Sequence, residues 1–228
     1  MKKILLGTFA IVVLVLLAIW SPWLRWNFDL AGIFGVSKPE AIAGLQVSSL
    51  AGEMEVFIDN SSVAKVTPES SPYILDRVEP GEHLITLKRT GEFAESYSTF
   101  NKLITFEENS AVVIGFNIGP DEMFSEGHVI YTTKKENSDS ESKLTIGVNT
   151  KEFNLTFDGL PVEKVDSNTK VMTLDFSRQH EIKISKSGYE SLVFTLLPEL
   201  QSDRDKLKGS DFNVDVQLML QPVEVNNI

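Results

Sequence analysis

The chain has 228 residues, 42% hydrophobic and 23% charged, a balance that excludes a disordered polymer and leaves length for two small cores of about 80 residues each. Cysteine is absent, which excludes disulfides and thiolate chemistry and makes apolar burial the source of stability. The net charge of −11 argues against a nucleic-acid partner, because neutralising phosphates needs clustered Lys and Arg.

Lys2 and Lys3 precede an almost wholly apolar run over residues 4–24. At about 1.5 Å rise per residue its 21 residues span roughly 30 Å, the thickness of bilayer hydrocarbon. Trp20, Trp23 and Trp26 stand at its far end with Arg25, where amphipathic rings favour the headgroup region. A cleaved signal peptide would need small residues three apart after a short apolar region, but Trp20 and Pro22 follow Ala18, and no lipobox cysteine exists. The expectation is an uncleaved single-pass anchor over residues 1–26 in the cell membrane. Charge asymmetry keeps the N-terminus cytoplasmic and the rest of the chain extracytoplasmic. Gly32, Gly35, Pro39 and Gly44 then break any long helix, so residues 27–43 read as a spacer.

A first β domain is expected over 44–119, with strands at 45–49, 53–59, 73–78, 83–88, 97–106 and 111–118. Met54, Val56 and Ile58 take alternate positions, as a half-buried strand requires. Asp59-Asn60 marks a hairpin turn, and Pro80-Gly81 a second tight turn in which Pro presets φ and Gly accepts a positive one. Residues 120–142 read as a linker holding a short strand at 127–133, and its polar end, 134–142 (KKENSDSES), reads as flexible. A second β domain follows over 143–221. Its strands are expected at 144–148, 153–158, 170–176, 181–185, 190–196 and 212–220, with the strong hairpin signal Asp158-Gly159. Residues 222–228 remain as a tail.

The two domains repeat one another. With a shift of 99, Leu45, Val56 and Asp59 fall on Leu144, Leu155 and Asp158, and Val63, Lys65, Val66, Leu75 and Asp76 fall on identical residues. After a two-residue deletion, His83, Ile85, Leu87 and Gly91 fall on His180, Ile182, Ile184 and Gly188. Self-similarity that keeps both apolar alternation and turn residues marks a duplicated unit. The fold expected is all-β: two tandem small antiparallel β-sandwich modules, preceded by one N-terminal transmembrane helix.

Chemistry-bearing patterns are sparse. His83 and His180 occupy equivalent repeat positions, which favours a structural role for both, and no metal-ligand spacing accompanies them or His128. Asp59 and Asp158 are expected to shape their hairpins, each side chain bonding a nearby backbone N–H in the turn. Acidic pairs such as Glu107-Glu108 and Asp121-Glu122 lack EF-hand spacing. The aromatic residues Phe93, Tyr97, Phe100 and Phe106 are expected in the core rather than as a sugar platform. No catalytic residue, metal or cofactor is expected.

Thr67-Pro68, the string Glu79-Pro80-Gly81-Glu82-His83 and Gly91 in the first copy resemble the PEGA domain, a small extracytoplasmic β-sandwich module of bacteria and archaea. Phe157-Asp158-Gly159 and the segment Ser185-Lys186-Ser187-Gly188-Tyr189-Glu190 in the second copy resemble the same family. The first copy has Phe93 after Gly91-Glu92 where the family usually has a Tyr beside the Gly, and the second copy lacks both Thr-Pro and Pro-Gly. The resemblance covers most of residues 44–220. It implies a non-enzymatic, membrane-anchored surface module for envelope adhesion, scaffolding or protein–protein interaction, with an envelope protein or, alternatively, a carbohydrate or peptidoglycan as partner.

Overall fold

The computed structural model describes residues 43–135, 141–175, 178–196 and 211–223. The expected membrane anchor and nearly all of the spacer lie outside these residues, and among the described residues no helix is long and apolar enough to cross a membrane. The described residues are all-β and form three sheets.

Seven strands form one large sheet in the order β4 (Tyr73–Val78), β1 (Ala43–Ser49), β7 (Ser110–Asn117), β8 (Glu126–Lys134), β15 (Phe212–Met219), β9 (Lys143–Val148) and β12 (Thr169–Thr173). A four-stranded sheet from the first repeat has the order β3 (Ser61–Val66), β2 (Met54–Ile58), β5 (Gly81–Arg89), β6 (Thr99–Phe106). Its counterpart from the second repeat runs β11 (Glu163–Val165), β10 (Phe153–Phe157), β13 (His180–Ser185), β14 (Leu192–Leu196). The turn residues act as the sequence predicts: Asp59 and Asn60 have φ of 50° and 67°, and Asp158 and Gly159 have 52° and 68°. Two consecutive left-handed residues are what a tight twisted hairpin demands. Each of these turns delivers the chain into a strand that the apolar pattern alone does not reveal, β3 and β11.

The order of the large sheet reads the same from both ends once repeat-equivalent strands are matched, with β8 at the centre and no repeat partner of its own. β7 and β15 are each antiparallel to β8 and therefore parallel to each other. Reversed order with preserved direction is produced by rotation about an axis along β8, and that rotation exchanges the two faces of the sheet. The cores confirm it. Successive strand residues point to opposite faces, and Val129 of β8 lies in the first core, with Tyr131 packed against it, while Ile130 lies in the second. Val112, Ile114 and Phe116 of β7 fill the first core while Val113 packs against the second; on β15, Val214, Val216 and Leu218 fill the second while Met219 packs against the first. One sandwich is thus built on each face, at opposite halves of a shared sheet.

This corrects the expected linker over 120–142. Residues 126–134 form a nine-residue strand bonded along its length to β7 on one side and β15 on the other. Beyond residues 136–140, which lie outside the described set, the chain is tied again: Ser142 is buried, its Oγ accepts the Phe212 N–H and its carbonyl accepts the Leu174 N–H. From Ala41 onward the chain is one compact unit. The first two residues of the expected tail are tied to the fold: Pro222 bridges Tyr189 and the Val223 N–H donates to the Gly188 carbonyl.

Candidate interaction groove and the Asp–His clasps

The repeat-equivalent residues Asp59 and His83 meet in space, as do Asp158 and His180. His83 Nδ1–H donates to Asp59 Oδ2 at 2.7 Å and Nε2–H donates to the Glu79 carbonyl at 2.9 Å. The Leu84 N–H donates to Asp59 Oδ1, and the Asp59 N–H donates back to the Leu84 carbonyl. In the second copy His180 contacts Asp158 Oδ2 at 2.8 Å and the Asp175 carbonyl at 2.5 Å, and the Glu181 N–H donates to Asp158 Oδ1. Arg178 adds an ion pair to Asp158 at 2.9 Å, and the His180 ring, 1% exposed, stacks on Phe157. Each aspartate bonds a backbone N–H, as expected. It lies across the sheet on the strand that carries the histidine, however, and not in the aspartate's own turn.

The electrostatics follow from this geometry. The hydrogen bond from His83, with that from the Leu84 N–H, holds the Asp59 carboxyl below its ordinary range. The same bond raises His83, since a ring that donates from both nitrogens is the imidazolium. Burial works to raise Asp158, but bonds from His180 and the Glu181 N–H, with Arg178 nearby, outweigh it and leave the carboxyl lowered. With both nitrogens of each ring facing an oxygen, these histidines have no nitrogen free to take a substrate proton, so the clasps fasten the hairpin to the sheet. We expect Asp158→Ala to cost about 2–4 kcal/mol in chemical denaturation, because it leaves a buried ring nitrogen and a backbone N–H unpaired. Asp59→Ala will cost less, its side chain being 52% exposed. Asn at position 59 will be tolerated by pairing with the neutral ring.

The remaining predicted residues occupy turns. Thr67 and Ser70 exchange side-chain and backbone bonds around Pro68. Gly81, after Pro80, opens β5 with φ of 141°, and Gly91 closes it with φ of 93°. Gly188 has φ of 82° and Lys186 lies over the Tyr189 ring. Among the described residues no group of three or more His, Asp or Glu side chains is placed to hold a metal ion.

A different set of residues forms a concavity. Among the described residues β6 is an edge strand, and its open side overhangs the half of the large sheet that its own module leaves uncovered. A groove of about 600 Å³ lies beneath it, walled by Lys102, Leu103 and Thr105 and floored by Thr145, Asp215 and Gln217. It continues into depressions of about 260 and 300 Å³ beside Phe100 and Met219. Lys102 Nζ spans the groove and donates to Gln217 Oε1 at 2.8 Å.

The pseudo-symmetric position on the opposite face is closed. Pairing registers make Phe194 of β14 the equivalent of Lys102, and Gly115 of β7 the equivalent of Gln217. A Cβ on Gly115 would lie 2.4 Å from the His128 ring, so glycine makes room for that ring, which stacks on Phe194 with centroids 5.7 Å apart. His128 Nδ1 is buried without a hydrogen-bond partner among the described residues, and burial pushes the ring down to about 4. One junction of the duplicated fold is therefore plugged by an aromatic stack and the other is open and polar. Sequence reading did not single out Lys102, Asp215 or Gln217; a lysine at an inward position of the alternating segment 99–106 was the available signal.

No known protein-family profile matches the chain, and no curated protein is found to be similar to it.

Proposed function

We propose that this protein is a non-enzymatic, single-pass membrane protein, N-terminus cytoplasmic, that presents two divergent PEGA-like β modules outside the membrane for envelope scaffolding, adhesion or protein–protein interaction. The observation that carries the reading is the groove under β6, a strand edge held over a sheet face that no described residue covers, at a junction whose counterpart is filled by the His128–Phe194 stack. The apolar run over residues 4–24 and its tryptophan belt support the anchor. The clasps support a non-catalytic role for the histidines.

Placing a photo-crosslinking side chain at position 103 of the full chain in its native envelope tests the reading. A discrete protein adduct at this position, absent when the probe sits on the far edge at position 63, is the expected result. Capture of cell-wall glycan with no protein adduct would replace it by the carbohydrate alternative. Mass spectrometry of the membrane fraction should find an intact N-terminus, and a mature N-terminus near residues 20–32 would remove the anchor.

A further inference from the structure

We propose that the groove under β6 binds an extended peptide carrying basic side chains, which adds to the first module's small sheet as a fifth strand. The inference rests on the interaction role above and specifies its ligand. The pairing pattern fixes which backbone groups are available. The Asp59 N–H bonds the Leu84 carbonyl and the Thr90 N–H bonds the Glu53 carbonyl, so Leu84, Thr86 and Lys88 of β5 direct their backbone groups toward β2. His83, Ile85 and Leu87 then serve β6, where they meet Ile104, Lys102 and Phe100. By alternation, the N–H and C=O groups of Thr99, Asn101, Leu103 and Thr105 point outward along the open edge, and among the described residues no backbone bond from 99–106 reaches any strand but β5. Such a row is a template for an added strand.

Charge selects the strand. The side chains of an added strand alternate between the solvent and the groove floor, whose carboxylates are Asp215 at the centre and Glu107 at one end. Neither has a cation within ion-pair distance among the described residues, while the one groove ammonium, that of Lys102, is engaged by Gln217. An incoming Lys or Arg meets unpaired carboxylates; an incoming Glu meets like charge. Lys102 has a second effect. An inward lysine on an edge strand disfavours flat pairing with the edge of another apolar sheet, which works against a second copy of this chain as the occupant.

The probe is a fluorescein-labelled decapeptide of alternating Thr and Lys, titrated by anisotropy against the full chain in detergent micelles. Two controls are its Thr-Glu counterpart and versions N-methylated at every second residue in either register, which keep the charge and lose N–H donors. Saturable one-to-one binding of the Thr-Lys peptide is expected, at least tenfold tighter than the Thr-Glu peptide and than at least one N-methylated version. Asp215→Asn should weaken it at least fivefold, and Leu103→Pro should abolish it. If both N-methylated versions bound as tightly as the unmethylated Thr-Lys peptide, the effect would reduce to bulk electrostatics and the proposal would be overturned, with no variant needed. So would an unchanged affinity in Asp215→Asn, or self-association of the chain that Leu103→Pro removes. If no peptide binds yet position 103 still crosslinks an envelope protein, the proposal fails and the interaction role stands.

Discussion

Replacing Ile146 by alanine will destabilise the chain by about 2–5 kcal/mol, the usual cost of emptying a filled aliphatic site, and the loss will register in both cores. Ile146 is fully buried in the second core, on β9. β9 pairs with β15, β15 with β8, and β8 with β7, whose other face lines the first core. Opening the second sandwich strips one side of β8 and removes Ile130 from cover, so Val129 and Tyr131 cannot keep their places. Hydrogen exchange of the β5 amides, in the first module and far from the substitution, should lose protection by the same free energy as those of β13. Undiminished β5 protection would mean that the cores unfold separately. For the same reason residues 143–228 expressed alone, without β8, should be poorly folded and prone to associate through the bare edge of β15.

Acid will weaken the fold through His128 by about 2–3 kcal/mol between pH 7.5 and 4.5, an effect that His128→Leu should remove. Burial lowers this ring from the ordinary 6.5 to about 4. A histidine depressed in the folded state contributes fully above its unfolded pKa and loses that contribution as pH falls toward the folded value. His83 works in the opposite direction. Raised by Asp59, it stabilises fully below the ordinary histidine value and is lost as pH climbs through its folded value. Asp59 and Asp158, both lowered, also lose stability in acid, but equally in wild type and variant, so the difference between the two proteins isolates His128. Urea unfolding at the two pH values measures it. A difference between wild type and His128→Leu that did not change with pH would show that the ring is solvated.

The duplication, most strands and both hairpin turns were legible because apolar alternation and turn residues are local signals. The strands β3 and β11 are short and half-exposed; Val63, Lys65 and Val66, identical in the second copy, were the trace they left. The sharing of one large sheet was harder to read, since alternation tells which residues share a face and not which sheet supplies the neighbours. A clue stood in Val129-Ile130-Tyr131 and Val112-Val113-Ile114, where apolar residues fill consecutive positions. A strand buried on both faces reads that way. The Asp–His clasps were anticipated only as turn aspartates and structural histidines taken separately, because their partners are 22–25 positions apart. The groove was hidden because it arises from unequal filling of two equivalent junctions, a comparison that requires the pairing registers.

The direction of the strands bears on how the protein would carry load. The described chain enters at Ala43, at the start of β1, and β15, which runs parallel to β1 and β7, ends at Met219 toward the opposite end of the sheet. A pull between the start of β1 and the end of β15 therefore acts along the strands. Ladder hydrogen bonds lie across that direction, so tension is shared by whole rows of them at once instead of opening them one after another. With β8 bonded on both sides, the same stress passes undivided from the first repeat to the second. The molecule would resist extension as a single welded plate.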